Sequence, residues 1–335
     1  MTATTHITPP RTCLLACIIL LAVVAAMLAA PPPASASYGW PVKPFDRQHP
    51  IRGNFCDPRI GNGESGITRT FHFGVDVAAP DGTPVYATVT GTVVISARHR
   101  DVIEIVAGGG VRFDYWHVRP VVRSGQHVVA YRTVIGHIAA PWGHVHFAEW
   151  RDGRYVNPLR RGAMVPYRDE RAPMLRSLGF ERRGRHLVPE GLVGRVDLTV
   201  TVLDIPPIPV WEPWEANIVT PALVRWRVVG KRGTVIGWRT ALDFRGTLPG
   251  TDDYGRVYAE RTRQNRPNRP GLYRIVLVRG LDVGDLPDGR YRLDVQATDI
   301  RGNRTQRTLA FTVGAVELEP DILVTRPAPG SRARA

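Results

Sequence analysis

The sequence predicts an all-β protein built from two antiparallel β-domains, and three observations carry that reading. Glycine (33) and proline (29) are spread along all 335 residues and punctuate short runs. Those runs are rich in β-branched and aromatic residues, or alternate apolar with polar, as strands do. No long stretch carries a 3.6-residue apolar period, so helices have little support. An apolar fraction of 43% with 22% charged residues marks a chain that folds.

The elements follow in chain order. Arg11 is the one charged side chain before Ser37 and precedes the apolar run "CLLACIILLAVVAAMLAA" (13–30). A proline break and the small-residue site Ala34-Ser35-Ala36 come next. Residues 1–36 are thus a predicted signal peptide cut before Ser37, giving a secreted or envelope-associated protein. An uncleaved membrane anchor is the alternative, since the run is just long enough to span a bilayer. Cleavage removes Cys13 and Cys17 and leaves Cys56 alone, which excludes a disulfide within the mature chain. Cys56 is expected as a small buried side chain.

The formal charge of +14 falls to +13 on cleavage, because only Arg11 is lost. A cationic exported protein is drawn to anionic wall polymers, although a solvated arginine-rich surface reads equally well. No nucleic-acid-binding motif accompanies the charge, so that partner is set aside, and a monomer is expected.

Residues 37–165 form the first predicted domain. After a Pro/Gly-punctuated lead come "TPVYATVTGTVVISA" (83–97), "DVIEIVAGG" (101–109), "GVRFDYWHV" (110–118), "QHVVAYRTVIGHI" (126–138) and "HVHFAEW" (144–150), all suited to strands. Residues 166–192 read as an arginine-rich linker with room for one short helix near Met174–Leu178. Alternating segments then recur from "GRVDLTVTVLDI" (194–205) to "RTLAFTVG" (307–314), and their regular spacing over 193–315 suggests a β-sandwich. The charged stretch 250–271 is expected to stand away from the core, and 316–335 is expected to be a disordered tail.

Histidines and acids cluster in the first domain. His72 and Asp76 are spaced H-x-x-x-D around Gly74, and an imidazole with a carboxylate makes a good zinc pair. In "GHVHF", strand alternation points His144 and His146 to one face. Two such imidazoles are either solvated or lining a cleft, where one could bind metal while the other handles protons or an oxyanion. His72, Asp76 and one of the pair would supply the three ligands of a catalytic zinc, leaving a position for water. The spacing alone does not say which. His117, in "YWHV", is expected on a strand between the two motifs.

H-x-x-x-D, then Y-x-H, then H-x-H resembles the lysostaphin-type (LytM-like) zinc metalloendopeptidases. "HFGVDVAAPDGTPVYATVTGTV", "SGQHVVAYRTVIGHI" and "VNPL" (156–159) are similar to further segments of that family. The resemblance spans roughly residues 38–165 and implies an antiparallel β peptidase domain of the duplicated-hybrid-motif type. It implies one Zn2+ per chain on His72, Asp76 and His146, with His117 and His144 as the catalytic pair. It further implies hydrolysis of peptide bonds in peptidoglycan stem peptides or cross-bridges. A non-catalytic, wall-binding or regulatory relative is the alternative, although such relatives generally lose metal ligands and all five motif residues stand here. The D-alanyl-D-alanine carboxypeptidase class fits less well, because its His-to-Asp spacing is longer and its glutamate base has no counterpart here.

Trp142 stands where the family usually has smaller residues, which makes it a candidate cleft wall. Tyr115 shares a regular strand face with His117 and either borders the cleft or packs in the core. Glu149 falls opposite His146, as a surface or supporting residue. "LPDGRYRLDVQATDIRGNRTQRTLAFTV" (286–313) resembles the last hairpin of an immunoglobulin-like module, so the second domain is expected to be an immunoglobulin-like β-sandwich.

Overall fold

The computed structural model describes residues 37–63 and 66–314; the expected signal peptide and tail lie outside them. The first half carries a sheet whose neighbouring strands are Ile51–Gly53, Val75–Ala78, His144–Arg151, Val111–Trp116, Val102–Gly108, Gly91–Ile95 and His127–Val128. Every pairing in it is antiparallel. A smaller sheet of Pro84–Tyr86, Val134–Ile138 and Val118–Pro120 lies beside it. Val77, Ile103, Ile105, Phe113, Val145 and Phe147 alternate onto the inner face and are buried.

The second half consists of two four-stranded antiparallel sheets. Alternation in Arg195–Leu203 sends Val196, Leu198, Val200 and Val202 inward, toward Trp226, Val228, Leu293 and Val295 of the other sheet. Phe180 and Phe311 meet at 5.0 Å. The chain is thus nearly all β, as predicted. Among the described residues no helix is long and apolar enough to cross a membrane.

Two expectations need correction. The predicted linker is largely folded: Met174–Arg182 and Arg185–Leu187 form a hairpin that pairs with Arg195–Leu203. Arg183 and Gly184 make its turn, with φ of 52° and 74°. That two-residue positive-φ pattern matches the twist of the strands it joins. Arginine richness concealed this hairpin, because long cationic side chains sit comfortably on a solvated strand face.

The stretch 250–271 does not stand away from the core. Tyr254, Val257 and Tyr258 are buried, and the rings of Tyr254 and Tyr258 lie 5.4 Å and 5.8 Å from Phe71 of the first half. The Tyr258 hydroxyl donates to the Cys56 carbonyl at 2.7 Å. Asn157, of "VNPL", donates from Nδ2 to the Phe244 carbonyl at 2.8 Å. The two halves therefore share one apolar core and form one compact unit.

Candidate metal centre and cleft

The strand register assembles the site. His144–Arg151 runs between Val75–Ala78 and Val111–Trp116, placing His146 opposite Asp76 on one side and Trp116 on the other. His72 precedes Val75–Ala78 on a tight approach that only glycine permits at position 74. A Cβ there would stand 2.9 Å from His146 Nε2 and closer still to the Phe147 carbonyl.

His72 Nε2, Asp76 Oδ1 and His146 Nδ1 form a triangle with edges of 2.7, 3.1 and 3.2 Å. His72 Nδ1 lies 2.7 Å from the Asn54 carbonyl, an acceptor only, so the ring proton belongs on Nδ1. The Nε2 lone pair then faces the carboxylate oxygen with no proton between them, an arrangement that a cation satisfies. Ligands of a tetrahedral zinc stand about 3.3 Å apart at ordinary bond lengths, so the donor set and its spacing fit zinc. The Asn54 carbonyl is the outer partner that orients such a ligand.

Electrostatics prepare the same donors. Burial, followed by the charge of Arg59, lowers His72 to about 4, and burial lowers His146 to about 4. Both rings are neutral at pH 7, the form that binds metal. Burial pushes the Asp76 carboxyl up, but His72, His144 and Arg59 outweigh it and hold it well below the usual range. Arg59, at 2.7 Å from Asp76 Oδ2, carries that effect at neutral pH, because His72 is uncharged there.

His117 and His144 face each other at a centroid distance of 4.8 Å. His144 Nδ1 donates to the Trp142 carbonyl at 2.7 Å, which turns Nε2 toward Asp76 Oδ1, 3.3 Å away. His117 does not lie within a strand. It breaks the run between Val111–Trp116 and Val118–Pro120 with φ of 63°. Regular register already sets Trp116 opposite His146 on the cleft and Tyr115 opposite Phe147 in the core, and the break brings His117 to the cleft beside Trp116. Of the two readings of Tyr115, the structure shows the packed one: its hydroxyl meets Thr88 Oγ1 at 2.7 Å. Burial, followed by His144, lowers His117 to about 4. Trp142 stacks on the His117 ring at 3.8 Å and 17°, and 42% of it remains exposed to the cleft.

Glu149 is not a surface residue. It is fully buried, accepting from Arg160 at 2.6 Å, Arg151 at 2.9 Å and the Tyr38 hydroxyl at 2.7 Å, away from the triad. Cys56 is likewise buried and free.

The triad opens into a cleft of about 680 Å³ whose far wall comes from the second half: Trp214, Gln264 and Asn265. Arg52 bridges the two walls. It donates to the Trp142 carbonyl at 2.9 Å and to His144 Nε2 at 3.2 Å, and its guanidinium lies 4.2 Å from the centre of the Trp214 ring. The Gln264 side chain accepts from the Ile60 backbone N–H. Arg52, Trp214, Gln264 and Asn265 were not singled out from the sequence. Arg52 and Arg59 carry no motif, and only the aromatic, proline-rich "VWEPWE" could have marked a binding loop.

The model of peptidase family M23 matches residues 70–158. An uncharacterized protein of Mycobacterium tuberculosis is 35% identical over 162 residues, covering 44% of this chain and 58% of that protein. The chain thus spans little more than half the length of the curated relatives it matches. Among solved structures, the catalytic domain of lysostaphin from Staphylococcus simulans is 23% identical with a TM-score of 0.27, covering 32% of this chain and 86% of that one. A zinc-containing peptidase from Vibrio cholerae is 27% identical with a TM-score of 0.29, covering 36% and 39%.

Proposed function

We propose that this chain, which carries a peptidase family M23 domain at residues 70–158, is an exported zinc-dependent endopeptidase of bacterial peptidoglycan. The observation that supports this most directly is the triangle of His72, Asp76 and His146 donors at 2.7–3.2 Å, opening on a cleft edged by His117 and His144. When bound there, zinc supplies Lewis-acid polarisation and acidifies the attacking water. The neutral imidazole of His117 takes the proton released from that water and returns it to the departing amine. His144, held by the Trp142 carbonyl, keeps Nε2 on the reacting side of the cleft. Arg52 adds fixed positive charge to the same wall, which stabilises the developing tetrahedral oxygen. The cleft is large enough for several residues of an extended peptide, and Trp142 and Trp214 supply apolar faces for it.

The expected signal peptide and the positive charge belong to the same reading: export places the protein against stem peptides, cross-bridges and anionic wall polymers. The second domain, which we read as immunoglobulin-like, then acts as part of the cleft rather than as a spacer.

Metal content and release of soluble fragments from peptidoglycan test the proposal. His146→Ala is expected to lose both zinc and activity; His117→Ala is expected to keep zinc and lose activity by a factor of about 100 or more. Wild-type turnover without bound metal would overturn it. So would full zinc occupancy with no hydrolysis of any wall peptide, the behaviour of a wall-binding relative.

A further inference from the structure

A second cluster of carboxylates, sharing no residue with the His72 triad, lies where the two halves meet. Asp169 comes from the segment that leaves the first half, Asp204 follows the strand Arg195–Leu203, and Asp299 follows the strand Gly289–Thr298. Each offers an oxygen, and these three atoms all lie within 4.8 Å of one another. Asp204 and Asp299 are buried, at 4% and 3% exposure. With Asn54, Asn157 and Thr220 they line a cavity of about 10 Å³, room for a single small occupant. The Thr220 hydroxyl on this lining is buried and has no hydrogen-bond partner.

The hydrogen bonds present leave the cluster short of positive charge. Asp299 Oδ1 accepts from the backbone N–H groups of Arg301, Gly302 and Asn303, and Oδ2 accepts from Asn303 Nδ2. Asp204 accepts from the Ile205 N–H and Asp169 from the Arg171 N–H. Arg301, the cation whose field reaches Asp169 and Asp299, donates to the Leu159 carbonyl and lies 4.9 Å from the centre of the Tyr167 ring. Burial raises Asp204 to about 8 and Asp169 to about 6, and the neighbouring acids add to both shifts.

Three adjacent carboxylates facing one cation, Arg301, whose field reaches Asp169 and Asp299 but not Asp204, either share protons or hold a further cation. Two features favour the cation. The donors are all oxygen, and Thr220 contributes a neutral hydroxyl that proton sharing among the acids does not need. Two oxygens bound to one calcium at about 2.4 Å stand no more than about 4.8 Å apart, the limit these atoms meet. An all-oxygen set with three carboxylates suits a hard cation and not zinc, which takes nitrogen or sulfur readily. We propose that Asp169, Asp204 and Asp299, with Thr220, form a calcium site that ties the first half to the second β-domain.

The site is tested on the purified chain loaded with one equivalent of zinc, by calorimetric titration with calcium chloride and by thermal melting. One calcium should bind with a dissociation constant of about 10⁻⁴–10⁻³ M, the range of extracellular modules. About 10 mM calcium should raise Tm by roughly 5 °C. Asp204→Asn should abolish both effects, with Asp169→Asn as the second variant should the first fail to fold. His146→Ala should lose its zinc and keep the calcium response, which separates this site from the peptidase metal. The proposal is overturned if the wild type shows neither binding heat nor a Tm shift at about 10 mM calcium. It is equally overturned if both asparagine variants respond as the wild type does.

Discussion

At the scale of single residues, the site depends on close approaches that a one-letter pattern only hints at. Gly74 reads as a turn residue, yet the structure gives it a sharper reason: any side chain there collides with the His146 ring and the Phe147 carbonyl. Gly74→Ala should therefore weaken zinc binding by about 10-fold to 100-fold, the cost seen when a ligand loses its orienting surroundings. A competition titration with a zinc chelator measures it, and unchanged affinity refutes the steric account. Trp142 has an equally local role. Its ring covers His117 at 3.8 Å and its carbonyl fixes His144, so backbone and side chain each hold one histidine. Trp142→Ala removes only the ring. It should lower kcat/KM on peptidoglycan fragments about tenfold with zinc content unchanged, whereas Trp142→Phe should keep most of the activity. Equal losses in the two variants would refute the stacking account, because phenylalanine retains an aromatic face for His117. The four motif histidines and the one aspartate were legible in the sequence because metal chemistry restricts residue type and spacing. Arg52 and Arg59 were not, because a guanidinium can serve any carboxylate or carbonyl within its long reach.

At the scale of elements, alternation served well wherever a strand stayed regular. It correctly set His144 and His146 on the face opposite Val145 and Phe147. It failed for "YWHV", because the positive φ of His117 interrupts the two-residue period, so that His117 reaches the cleft with Trp116 while Tyr115 stays in the core. No residue there announces the break. The arginine-rich hairpin and the stretch 250–271 were misread for another reason: charge and turn residues indicate exposure of most side chains, and a few buried anchors suffice to dock a loop. Tyr254 and Tyr258 are those anchors. Tyr258→Phe should cost about 1–2 kcal/mol, since it leaves the buried Cys56 carbonyl without that donor. Urea unfolding measures the loss. Thiol titration under native conditions adds a second readout, in which Cys56 should react faster in the variant than in the wild type. A variant with wild-type stability and an equally protected thiol would show that the hydroxyl contributes nothing to docking.

At the scale of the whole molecule, the two halves depend on each other, because the second contributes a wall of the cleft and the two share the acidic junction. That dependence was invisible in the sequence, where each half shows its own strand pattern and nothing marks which surfaces meet. It has a consequence for pH. The folded-state values of Asp169 and Asp204, about 6 and about 8, lie above the ordinary carboxyl value of 3.8. The native state therefore holds more protons than the unfolded chain over that interval, and stability falls with rising pH. The contribution is fully present below pH 4 and is lost progressively as the pH passes 6 and then 8. Asp299, Asp57 and Tyr167 face the same cluster and Arg301 opposes them, so the slope belongs to the group rather than to one residue. Urea unfolding of the zinc-free His146→Ala chain at pH 5, 7 and about 9, with calcium chelated, should show this decline. Adding Asp204→Asn should flatten it, because an amide has no proton to lose. Calcium should flatten it in the parent by replacing the missing protons, and should bind more weakly at pH 5, where protons compete for the carboxylates. Identical slopes with and without Asp204→Asn would place the pH dependence elsewhere in this strongly basic chain.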